Sequence, residues 1–161
     1  MTRVRGLVCA AVATLALTPA VAHADPLPPA VGVGCAADLA DAMTLLPDQT
    51  TYVTCRPSGL GYSWTAVQTP FPPNDTWLSY GPPITLHGQG MRNPNLSSGR
   101  WTATPRNTEA TCGVTQTTVV EAGVLAPPQF TEGEQGNPLT VEMLPRLFYV
   151  ELAGDCLWER D

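Results

Sequence analysis

His87 is the only histidine after residue 23, and it opens a run, His87 to Gly99, that gathers Gln89, Arg92, Asn93 and Asn95 within nine positions. Such side chains hydrogen-bond a sugar or a carboxylate, and rigid scaffolds carry function on loops of this kind. The competing reading is a plain connecting loop. A lone histidine acts as a general base only beside a nucleophile and an orienting group. Ser58, Ser63, Ser79, Ser97 and Ser98 are present, yet none stands in Gly-x-Ser-x-Gly. Gly88 and Gly90 form no phosphate cradle, because no helix start follows them. Glu132-Gly133-Glu134-Gln135-Gly136-Asn137 carries oxygen ligands without the ordered spacing of a calcium loop, so no metal site is assigned. A glycosidase-type pair among the fourteen acidic residues would leave no trace in spacing. Catalytic residues stay unassigned and no cofactor is expected. Trp64, Trp77, Trp101 and Trp158 would stack on sugars if they shared an open face; in a small β domain they are more often packing.

The cysteines carry the firmest chemistry. There are five, an awkward number for an oxidising compartment, but Cys9 lies in a segment that reads as a cleavable signal peptide. Arg3 and Arg5 give its positive end, and Leu7 to Leu17 is an uncharged apolar run. That run is too short for a membrane span of about 20 residues. Pro19 breaks it, and Ala22-His23-Ala24 supplies the small residues a signal peptidase reads. Residues 1–24 are therefore expected to leave, with the mature chain starting at Asp25. Cys35, Cys55, Cys112 and Cys156 remain, an even set that reads as a disulfide framework. Four cysteines allow three pairings. Cys35–Cys55 with Cys112–Cys156 is favoured, because each closes a local segment. No C-x-x-C pair supports a zinc site. Val31-Gly32-Val33-Gly34 before Cys35 superficially matches a lipoprotein box, but it stands too far beyond the signal core to be read as one.

Removing 24 of 161 residues leaves 137, the length of one domain with a modest core. The chain has no lysine, and two of its eight arginines lie in the signal; six arginines against fourteen acids give a mature net charge of −8. That field repels phosphate backbones and anionic lipid, which excludes nucleic acid as an expected partner. No later stretch is apolar over a spanning length, so no membrane span is expected after cleavage.

The elements that must hold these residues are mostly strands. Residues 25–34, rich in proline and glycine, read as an extended leader. Ala36 to Leu46 reads as a short helix, with Leu39, Met43 and Leu46 on one face and Pro47 as its stop. Strands are predicted at 50–55, 62–69, 76–80, 84–87, 100–104, 111–121 and 139–144, and in a run carrying Phe148, Val150 and Leu152 on one face. In the 111–121 strand, Cys112, Val114 and Val120 should share the core side. The expected fold is all-β: a small antiparallel sandwich or partly open barrel over 35–161, with that short N-terminal helix and two disulfides. The repeated Trp-Thr-Ala at 64–66 and 101–103 marks two similar strands and no duplication.

Gly99-Arg-Trp-Thr-Ala-Thr-Pro105, Thr111-Cys112, Ala126-Pro127-Pro128, Glu132-Gly133-Glu134, Leu147-Phe148 and Cys156-Leu157-Trp158 resemble the C-terminal part of small secreted proteins of mycobacteria and related actinobacteria. The lysine-free composition is similar to theirs. The resemblance covers less than half of the chain; it implies export and disulfides and transfers no catalytic residue. Three functions are then in view. The leading one is a secreted, non-catalytic interaction or cell-envelope module that binds an extracellular or envelope ligand. The alternatives are a secreted hydrolase using paired carboxylates or His87, and a disulfide-stabilised protease inhibitor. Whether the 87–99 loop, the tryptophans and the acidic turn share a concave face bears directly on the first.

Overall fold

The computed structural model describes residues 27–161; the expected signal segment, its expected cleavage site and Cys9 lie outside the described residues. Thirteen strands follow one another: β1 (Gly34–Cys35), β2 (Met43–Leu45), β3 (Tyr52–Ser58), β4 (Gly61–Val67), β5 (Thr76–Ser79), β6 (Ile84–His87), β7 (Gly99–Pro105), β8 (Gly113–Glu121), β9 (Val124–Leu125), β10 (Gln129–Glu132), β11 (Leu139–Met143), β12 (Leu147–Ala153) and β13 (Cys156–Arg160). The larger sheet runs β1-β4-β3-β2-β5-β13-β7-β11, and the smaller runs β10-β8-β12-β6 with β9 beside β8. All neighbours are antiparallel except β2 and β5, which meet in parallel where Met43 faces Trp77. Neither sheet closes into a barrel.

One apolar core lies between the sheets. Met43, Trp77, Trp101, Met143 and Trp158 enter it from the larger sheet, and Ile84, Leu86, Val114, Val150 and Leu152 from the smaller. Period-two alternation puts these residues on one face of each strand. A second cluster of Leu39, Ala42, Val53, Cys55, Trp64 and Leu78 covers the opposite face of the larger sheet. Its middle strands are therefore buried on both sides.

That double burial overturns the expected helix at 36–46. The segment instead makes one 3₁₀ turn, Ala37–Leu39, and then the strand β2. Asp41, with φ +65°, reverses the chain between them. Met43 and Leu45 of β2 enter the inter-sheet core, while Ala42 and Leu46, which flank the strand, meet the second cluster. A strand buried on both faces reads as a continuous apolar run, which periodicity cannot separate from a buried helix.

Both favoured disulfides are present, Cys35–Cys55 and Cys112–Cys156. The first fastens β1 to β3 within the larger sheet. The second joins the entry of β8 to the start of β13, and so ties one sheet to the other. The Cys35 sulfur is thus committed to a cross-link. Gln116 adds a polar tie across the layers: its amide donates to the Glu142 carbonyl at 3.0 Å and accepts from the Leu144 N–H at 2.9 Å.

Val120 departs from its expected place. It is 53% exposed: it is the extra residue where the β8–β9 ladder shifts between Val119 and Glu121, and it lies beyond Thr118, the last residue of β8 paired with β12. An extra residue in one strand turns the following side chains toward the other face. Cys112 and Val114 do reach the core.

Candidate functional site

The His87 loop is held by its own polar groups. Asn95 is buried; its side-chain oxygen accepts from the His87 N–H at 2.7 Å, and its own N–H donates to the His87 carbonyl at 2.8 Å. The Gln89 side-chain oxygen accepts from the Ser98 N–H at 3.1 Å. Gly88 and Gly90 donate to the carbonyls of Phe148 and Leu147 at 3.0 and 2.7 Å. A β-carbon on Gly88 would stand 2.4 Å from the Leu147 oxygen, so only glycine permits this approach. Two of the five candidate side chains, Gln89 and Asn95, therefore act as staples of the loop.

The other three, His87, Arg92 and Asn93, are exposed and line a groove of about 770 Å³. Asn93, with φ +53°, makes the bend beside Arg92. The same groove is lined by residues the sequence reading missed: Tyr52, Phe71 and Phe148, with Met91 and Pro70. Gln49 and Thr50, from the β2–β3 turn, complete the lining. The Tyr52 and Phe71 rings meet edge to face at 4.9 Å, and both lie within 6.3 Å of the buried Trp77 ring. A bulge between Leu147 and Tyr149 explains Phe148: Leu147 fills the core, and Phe148 is left half-buried at the groove. Burial pushes the Tyr52 phenol above its ordinary value, so the hydroxyl stays a donor near neutrality and points at the Asn95 side-chain oxygen.

Asp48 shapes the wall beside Gln49. One oxygen accepts from the N–H groups of Thr50 and Thr51 at 2.9 and 2.8 Å, and the other from the Thr51 hydroxyl at 2.6 Å. The Thr51 hydroxyl, followed by the two amides, lowers its pKa from 3.8 to about 2. A folded value below the unfolded one means that the turn's support is complete above the unfolded pKa and fades as pH falls through about 2. An NMR titration of the Asp48 carboxyl should show its midpoint near 2; a midpoint at 3.8 would mean the turn is not formed.

A second groove, of about 650 Å³, lies over the Cys35 side of the larger sheet, with Leu27, Val33, Trp64, Leu78 and Tyr80 in its lining. Its two charged groups are both engaged: Arg106 pairs with Asp38 at 2.9 Å, and Asp155 accepts from the Asn107 amide at 3.1 Å. Burial, reinforced by the Asp48 charge, pushes the Tyr80 phenol up.

The features that might have shared one concave face lie apart. All four tryptophans are buried, so they offer no open stacking platform. The indole N–H groups of Trp77, Trp101 and Trp158 donate to the Asn74 carbonyl, the Ser97 carbonyl and the Ser79 hydroxyl. The acidic turn follows β10, whose Glu132 faces Gly113; Gly113 faces Ala153, the far end of β12 from the Leu147 that contacts the His87 loop. No group of three or more potential metal ligands gathers among the described residues. No serine, cysteine or carboxylate is among the residues lining the His87 groove; its hydroxyls are those of Thr50, Thr69 and Tyr52.

No protein-family model matches the chain, nor does any curated protein or solved structure.

Proposed function

We propose that the chain is an exported, non-catalytic binding module whose ligand is a small ring-shaped molecule of saccharide type, seated in the His87 groove. The observation that carries this reading is the make-up of one lining: the exposed hydrogen-bonding groups of Arg92, Asn93 and His87 stand in the same groove as the aromatic rings of Tyr52, Phe71 and Phe148. Aromatic surface with a few placed polar groups is the usual make-up of a small-molecule site. A pyranose ring answers both sets, with C–H faces for the aromatics and hydroxyls for the polar groups. Two disulfides support an oxidising compartment, and no described helix is long and apolar enough to cross a membrane.

The alternatives fit less well. Hydrolysis by His87 finds no carboxylate in the groove lining to orient the imidazole. For protease inhibition, the fully exposed Leu60 sits at the tip of the tight β3–β4 hairpin, where Ser58 faces Gly61. That turn is too short to lie extended across a protease cleft.

Titration with phenyl β-D-glucoside, followed by amide NMR, tests the reading. Shifts should cluster at 49–52, 69–71, 87–95 and 148. Phe71→Ala and Phe148→Ala should each weaken binding by roughly tenfold, the effect of losing one aromatic contact. Shifts scattered elsewhere, or unaltered affinity in both variants, would remove the groove from consideration.

A further inference from the structure

The described residues include six arginines, and five of them are engaged. Arg56 pairs with Asp41, Arg100 with Asp161 at 4.0 Å, Arg106 with Asp38 and Arg160 with Asp75 at 3.5 Å, while Arg146 donates to the Val120 carbonyl. Arg92 alone has neither an ion pair nor a hydrogen bond among the described residues. It stands at the groove, on a loop whose backbone is bonded to β12 at two points and to itself through Asn95. The lining of that groove holds no aspartate or glutamate, in a chain with fourteen acids and a net charge of −6. The nearest acid in sequence, Asp48, has both oxygens bonded within its own turn.

We infer that the groove selects an anionic ring: a sugar acid or similar ring-bearing carboxylate whose charge pairs with the Arg92 guanidinium. This rests on the saccharide-type reading above and narrows it. A guanidinium presents a planar fork of N–H donors that matches a carboxylate in bidentate fashion. Elsewhere on this acidic protein a carboxylate ligand meets a repulsive field, so a patch without acids and with a free cation discriminates by charge as well as by contact. Asn93 adds an amide donor beside Arg92, and the aromatic side chains take the ring.

Phenyl β-D-glucuronide and phenyl β-D-glucoside differ only in a carboxylate against a hydroxymethyl group, and calorimetric titration of both into the disulfide-intact protein separates the two claims. The glucuronide should bind roughly tenfold more tightly at low salt, and the difference should shrink as salt rises. Arg92→Ala should bring the two ligands to similar affinity, and Arg92→Lys should restore part of the gap. Equal affinities in the unsubstituted protein, with Phe71→Ala still weakening both, would overturn charge selection and leave the groove standing. Failure of both ligands to bind would overturn the groove and the charge selection together.

Discussion

Replacing Trp158 with alanine should cost about 3–5 kcal/mol of folding stability, the range for truncating a large buried aromatic. The indole is fully buried, and its strand β13 sets it opposite Trp77 on one side and Ala103 on the other. Its N–H donates to the Ser79 hydroxyl at 2.9 Å, and Ser79 in turn donates to the Gly154 carbonyl at 2.8 Å. Alanine leaves a cavity at the centre of the inter-sheet core, whose strands are pinned on both sides and cannot collapse into it. Trp158→Phe keeps most of the volume and removes the hydrogen bond, so it should cost less than the alanine change. Urea unfolding midpoints of the two variants check this ranking; equal losses would place the stabilisation in the hydrogen bond instead of the packing. Because domains of this size are stable by only about 5–15 kcal/mol, the alanine variant stands close to unfolding.

Removing the Cys112–Cys156 bridge ranks second. It closes a span of 44 residues, for which loop-closure entropy gives about 4 kcal/mol, against about 3 kcal/mol for the 20-residue span of Cys35–Cys55. Both Cys112 and Cys156 are fully buried, whereas Cys35 is partly exposed. A Cys112→Ser, Cys156→Ser double variant should therefore lose more stability than the corresponding Cys35, Cys55 variant. The reverse order in thermal unfolding would show that the tie between sheets matters less than the hold on β1. Intact mass of protein from culture fluid examines the same bonds in their setting. The expected species begins at Asp25 and weighs four hydrogens less than the reduced chain, one pair for each disulfide. A species still carrying Met1, or one at the reduced mass, counts against export into an oxidising compartment.

Much of the fold is legible in local pattern because most strands present one face to the core. Leu139, Val141 and Met143 alternate as read, and Ile84 to His87 forms a strand with the boundaries expected of it. Legibility fails where a strand is covered on both faces. β2 is one such case, and β13 is another: Cys156 and Trp158 join the inter-sheet core while Leu157 joins the second cluster, so no alternation marks the segment.

The candidate site divides along a similar line. Sequence composition picks out the His87 loop, since polar side chains bunch there. The aromatic lining is invisible for separate reasons in each residue. Phe71 stands among prolines in Pro70-Phe71-Pro72-Pro73, outside every predicted strand, and only tertiary packing brings it against Tyr52. Phe148 reads as a core residue until a one-residue bulge exchanges it with Leu147. Tyr52 looks like any strand aromatic. Which side chains of the loop are free is equally a tertiary fact, because Gln89 and Asn95 find partners that composition does not reveal.

The position of β13 between β5 and β7 bears on when the chain can finish folding. Its ladder partners, Thr76–Ser79 and Trp101–Pro105, emerge from the ribosome at least fifty residues earlier and must wait for it. Without residues 156–160 the larger sheet falls into two unjoined halves, so the growing chain lacks a finished tertiary structure until late in its synthesis. A polypeptide in that condition stays threadable, which would suit the proposed export through a narrow channel before it locks shut.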